Sequence, residues 1–132
     1  VLRAHSRIKD QAEKEKIKNS KVKIRVAIKA VKHLPKMDKF GKTDAYCITV
    51  LDNKRSGGQR FKRTTKVVKR NLNPEWHDEV YEFEVFNYIE QVLALSCWDW
   101  DAGSDDQMIG QVTVPLLALF EQSSVEKSYP LV

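Results

Sequence analysis

C-W-D-W-D-A-G-S-D-D-Q-M-I-G, residues Cys97 to Gly110, places four aspartates, Asp99, Asp101, Asp105 and Asp106, within eight positions and interposes no lysine or arginine. Val92 to Trp98 just upstream, V-L-A-L-S-C-W, has the length and residue types of a buried strand, so the carboxylates begin where the strand ends. On an extended backbone Asp99 and Asp101 project to one side, roughly 6 to 7 Å apart at their Cα atoms, with Trp98 and Trp100 on the other. Like charges at that spacing repel unless a cation lies between them. The helix-flanked calcium loop does not fit: counted from Asp99, its sixth position needs Gly and its twelfth Glu, and those are Ser104 and Gly110. A cation here must be held between loops of a β domain, with further oxygens from elsewhere in the chain.

The rest of the chain supports such a domain. Its 132 residues suffice for one core, and 42% hydrophobic with 9% aromatic residues agree with that. No apolar run approaches the ~20 residues that cross a bilayer and the N-terminus does not resemble a signal peptide, so the expectation is a soluble domain with at most peripheral membrane contact. Cys47 and Cys97 fall in predicted strands without metal-type spacing and read as reduced packing residues of a cytosolic protein, a buried disulfide between them being the alternative.

Net charge is +5, but the two signs are segregated. Lys54 to Arg70 carries eight bases and no acid, whereas Glu75 to Asp106 carries ten acids and no Lys or Arg. Opposite poles on one domain point to two kinds of partner, an anionic surface and a cation. Nucleic-acid binding would rest on the pI of 9.2 and the basic run alone; the acids that follow and the absence of any nucleic-acid motif argue against it. No nucleophile with an arranged base, phosphate-binding glycine loop or zinc pattern points to an enzyme, and His5, His33 and His77 lack ligand spacing.

Residues 1–20 read as a basic flanking segment or linker, and the domain as residues 21–132. Val22, Ile24, Val26, Ile28 and Ala30 alternate with Lys21, Lys23, Arg25 and Lys29, the pattern of a half-buried strand. Further strands are expected at Ala45–Leu51, Arg60–Val68, Glu79–Phe86, Val92–Trp98, Ile109–Val114 and about Ser128–Leu131, with one helical turn in Leu116–Gln122. Short connections make the neighbours antiparallel, and seven such strands give an all-β sandwich. Asn71–Trp76, N-L-N-P-E-W, reads as a turn whose indole covers the edge of the core.

A second acidic loop matters in a sandwich, where loops gather at the two ends. Asp38 and Asp44 flank K-F-G-K-T just before a strand. With L-P-K-M-D-K-F-G-K-T-D-A-Y, L-N-P-E-W, and W-D-W-D followed by I-G, the chain from about Val22 to Val132 resembles the C2 domain family of calcium- and phospholipid-binding modules. The resemblance implies an antiparallel Greek-key sandwich of seven to eight strands, and it leaves open which of the family's two topologies is present. It implies Ca²⁺ as cofactor, with Asp38, Asp44, Asp99 and Asp101 as carboxylate ligands and the carbonyls of Met37 and Trp100 adding oxygens. Where the family commonly has a fifth aspartate, three residues before the Gly, this chain has Gln107. Gln107 or Asp106 is then expected to take that place, and Ser104 to serve an outer ion, in a weaker or lower-stoichiometry site.

The resemblance also implies the partner, a membrane surface bearing phosphatidylserine and phosphoinositides. The apo loops repel lipid phosphates, and bound calcium inverts that sign. Phe40 at the tip of the first loop is expected to enter the headgroup boundary or to pack on its own loop. Arg60, Lys62 and Lys66 of R-F-K-R-T-T-K form a basic face. Together with Tyr46 and Trp98 the strand is similar to the phosphoinositide pocket of conventional protein kinase C, except that one lysine position is Thr64. The function expected is calcium-dependent targeting of a larger protein to membranes in signalling or vesicle trafficking, by a monomeric, cytoplasmic, peripheral-membrane domain that also offers a surface to a protein partner. The alternative is a calcium-independent lipid or protein module of the same fold that uses the basic strand.

Overall fold

A computed structural model describes residues 21–37, 42–53, 59–86, 88–119 and 130. The flanking segment 1–20, the loop tip with Asp38 and Phe40, and the expected last strand apart from Pro130 lie outside them. Six strands are found among the described residues, all paired antiparallel. Strand β1 (Lys21–Ala27) pairs with β4 (Val80–Phe86) in one sheet. The other sheet has the order β3-β2-β5-β6, built from β2 (Ala45–Asn53), β3 (Gln59–Thr64), β5 (Val92–Asp99) and β6 (Gln107–Pro115). The expected helical turn is α1, Leu116–Leu119, and a 3₁₀ turn spans Tyr88–Glu90.

The alternation in β1 works as its residue types dictate. Val22, Ile24 and Val26 lie opposite Val85, Phe83 and Tyr81, so each inward residue meets an apolar partner. On the solvent side Lys21 pairs with Glu84 and Arg25 with Glu82, both at 3.1 Å and both exposed, so each contributes at most about 1 kcal/mol. The strand stops at Ala27, short of the expected Ala30. Beyond it the chain leaves the ladder to bond the N-L-N-P-E-W turn: Val31 N–H donates to the Pro74 carbonyl at 3.1 Å, and Trp76 N–H to that of Lys29 at 2.8 Å.

A second departure is at β3, expected to run unbroken to Val68. Its ladder ends at Thr64, Thr65 N–H still donates to the Cys47 carbonyl, and the chain next bridges β2 where Val68 faces Ala45. Three steps on this strand thus answer two on β2, which is a bulge. Trp76 fills the space beside it, 6% exposed, and its Nε1 donates to the Lys66 carbonyl at 2.7 Å.

Two apolar groups fill the sandwich. Leu34, Ala45, Cys47, Trp76 and Cys97 form one, and Leu51, Phe83, Val85, Leu93 and Leu116 the other. Burying a side chain such as Leu51 contributes about 1.5–3 kcal/mol. The first group lies beneath the ends of β2 and β5 that carry the acidic residues, so those ends stand on packed core.

Candidate functional site

Antiparallel pairing brings the start of β2 to the end of β5, with Ala45 opposite Asp99. Asp44 therefore reaches the acidic stretch although 55 positions separate it from Asp99. Its N–H donates to Asp99 Oδ1 at 3.0 Å, and its carbonyl accepts Trp100 N–H at 2.8 Å. Asp99 belongs to β5 itself and is 8% exposed, so the strand runs one residue further than the sequence suggests and takes in this carboxylate. Arg70 takes a left-handed conformation, φ 54°, and aims its N–H at Asp44 Oδ1, 2.8 Å away. Main-chain donors thus orient both carboxylates without neutralising them.

The base of the first loop is held by Thr43, which is fully buried. Its hydroxyl donates to the Pro35 carbonyl at 2.6 Å and accepts the Met37 N–H at 3.3 Å, tying the two ends of the loop together. Asn71 N–H donates to the Thr43 carbonyl at 3.0 Å. Asn73 works at the next turn, where its Oδ1 accepts the N–H of left-handed His33 (φ 60°) at 2.9 Å.

Asp101 lies past the strand, exposed, and its Oδ1 accepts Gly103 N–H at 2.9 Å. That bond and the donors of Ser104 hold its carboxyl below the ordinary aspartate range. Ser104 here serves Asp101 directly. Asp106 spends both oxygens on protein donors, Oδ1 on the Asp101 N–H at 2.9 Å and Oδ2 on the Tyr46 hydroxyl at 2.5 Å. Burial, followed by this bond, pushes the Tyr46 phenol up to about 12. Gln107 opens β6 opposite Asp99, with its side chain exposed.

Next to the acidic end, the outer face of the larger sheet carries Tyr46, Trp98 and Met108 as one cross-strand row. Trp98 Nε1 donates to Ser96 Oγ at 2.9 Å, and Met108 is 46% exposed. Lys62, opposite Val50, and Thr64, opposite Ile48, continue this face on β3, while Arg63 points inward over the Phe83 ring. Lys66 is exposed but sits in the bulge, its N–H donating to Glu79 Oε1 at 2.9 Å. Arg60 is in β3, with its side chain outside the described atoms.

The structure thus brings together Asp44, Asp99, Trp100, Asp101, Ser104 and Asp106, and separately Tyr46, Trp98 and Lys62. Sequence reasoning missed Thr43, Arg70, Met108 and Lys69, whose Nζ lies 5.1 Å from the centre of the Trp100 ring. Lys69 and Arg70 end the basic run, and that position was the one signal for them. The acidic end offers carboxylate, carbonyl and hydroxyl oxygens, the type a hard divalent cation takes, so the donor chemistry fits Ca²⁺. Among the described residues no three His, Cys, Asp or Glu side chains gather as metal ligands; Asp38 lies outside those residues.

The C2 domain family model matches residues 22–131. Tricalbin-1 of Saccharomyces cerevisiae is 30% identical over 78% of this chain, and human multiple C2 and transmembrane domain-containing protein 1 is 34% identical over 71%. This chain spans 8% of the length of each. A solved C2 domain of plant extended synaptotagmin 1 superposes with a TM-score of 0.63 at 29% identity, covering 71% of this chain and 68% of that one. The sandwich, its acidic loop end and these matches agree: the chain belongs to the C2 domain family of membrane- and lipid-binding modules.

Proposed function

We propose that this domain binds anionic phospholipid membranes in a calcium-dependent manner and so carries a larger protein to the membrane surface. The observation that supports this most is the hydrogen bond from Asp44 N–H to Asp99 Oδ1, which brings the aspartate that closes the first loop to an acidic stretch with no lysine or arginine in it. In this reading Asp38, Asp44, Asp99 and Asp101, with the carbonyls of Met37 and Trp100, hold Ca²⁺, Gln107 offers a carbonyl oxygen in the place of the family's fifth aspartate, and Ser104 serves an outer ion. Asp106, with both oxygens engaged, braces Asp101 and Tyr46. Calcium, when bound, supplies positive charge and a coordination position for a lipid phosphate oxygen.

The chain's own residues do the rest. Lys62 and Lys66, joined by Arg60, attract the anionic surface, while Tyr46 and Trp98 border the headgroup, favouring phosphoinositides. Trp100, 37% exposed beside Lys69, supplies an interfacial aromatic, and the same part is assigned to Phe40 of the first loop. The partner is the cytoplasmic leaflet, and the domain acts as a monomeric binding module.

Calorimetric titration with Ca²⁺, paired with cosedimentation on phosphatidylserine vesicles with and without chelator, tests the reading. Heat of binding and chelator-sensitive sedimentation are expected. No heat at millimolar Ca²⁺, with sedimentation unchanged by chelator, would replace this reading with a calcium-independent module using the basic strand.

A further inference from the structure

Cys47 and Cys97 have so far served only as packing. They are direct partners in the β2–β5 ladder, and each is almost fully buried, at 6% and 1% exposure. The Cys47 main chain faces away from β5: its N–H donates to Thr65 Oγ1 at 2.8 Å and its carbonyl accepts Thr65 N–H at 2.9 Å. Asp44, an odd number of positions away, instead accepts from Trp100 beyond β5. With the period of two along a strand, Cys47 and Cys97 are therefore a non-hydrogen-bonded pair. In such pairs the Cα atoms approach to about 4.5 Å and the side chains are closest, inside the roughly 4.4–6.8 Å that a disulfide spans. Both side chains belong to the same buried core group. The chain has two cysteines, so one intrachain pairing exists.

We propose that Cys47 and Cys97 are a disulfide-forming modification site that closes across β2 and β5 when the domain meets a peroxide. One sulfur attacks the peroxide, the O–O bond breaks, and a sulfenic acid and one water result. The second sulfur then displaces the hydroxyl, which leaves as a second water with the remaining thiol proton. Two thiols lose two electrons, and hydrogen peroxide gains them as two waters. The new bond lies three residues from Asp44 and two from Asp99, so it fastens the two strands whose ends carry the acidic residues.

The test treats the folded 132-residue chain with hydrogen peroxide and, in a second arm, refolds it from urea with oxidised glutathione. In either arm a mass about 2 Da below the reduced protein is expected, with a non-reducing peptide map joining residues 47 and 97. The linked protein should melt several degrees above the reduced one. Cys47→Ala should abolish the linked peptide. Free thiols after peroxide treatment, or oxygen or glutathione adducts in place of the link, overturn the proposal.

Discussion

Tyr46 donates its phenolic proton to Asp106 Oδ2 at 2.5 Å, joining the outer face of β2 to the acidic loop. The other oxygen of Asp106 accepts the Asp101 N–H, so one carboxylate fixes a side chain on the sheet and the backbone of the loop. Spectrophotometric titration should find Tyr46 ionising at about 12, and Asp106→Asn should move it back toward ordinary tyrosine. A folded-state pKa above the unfolded value favours the protonated phenol in the fold. Its contribution to stability is thus complete below about pH 10 and is lost as pH rises through about 12. Alkaline unfolding monitored by circular dichroism should show that loss in the wild type and less of it in Tyr46→Phe.

Asp99→Asn combined with Asp101→Asn removes two negative charges and keeps amide oxygens as acceptors for Asp44 and Gly103. Calcium affinity should fall at least tenfold, about 1.4 kcal/mol, and chelator-sensitive vesicle binding should disappear. The melting temperature in chelator should stay the same or rise slightly, since repulsion is relieved. Calorimetry and thermal melts check both outcomes, and unchanged calcium heat would remove these two residues from the site.

Lys62→Ala and Lys66→Ala should each weaken binding to phosphoinositide vesicles by about 1 kcal/mol, roughly fivefold. The double variant should bind with a flatter dependence on salt. Sedimentation over a salt series separates this from a folding defect, since an equal loss on neutral lipid would contradict the role.

Thr43→Val keeps the shape of the side chain and deletes its hydroxyl. The Pro35 carbonyl and Met37 N–H lose their shared partner in a partly buried place, at a cost of about 1 kcal/mol by urea unfolding. Because that hydroxyl ties the two ends of the first loop, calcium affinity should fall with it, whereas binding through Lys62 and Lys66 at zero calcium should not.

Much of the scaffold was legible because strand patterning is local. The alternation from Val22 to Val26 and the apolar run from Val92 state their own period and need no knowledge of a partner. The same reading overran at Ala30 and at Val68, where hydrogen bonds to the N-L-N-P-E-W turn and a bulge against β2 end the ladder. Both endings depend on what lies across from the chain. The acidic residues were legible as a charge cluster, but the roles within it were not. Asp106 and Gln107 are adjacent and both end in an oxygen acceptor, and it is Tyr46, sixty positions upstream, that engages Asp106.

From its residue order alone this chain determined an antiparallel β domain with a basic strand, an acidic end and a C2-like set of motifs, because charge, period and turn chemistry act over a few neighbouring residues. Tertiary structure decided which groups meet: Asp44 with Asp99, Tyr46 with Asp106, Arg70 N–H with Asp44, Cys47 with Cys97. Those meetings follow from ladder register, and register is settled only when whole strands pack their apolar sides against one core.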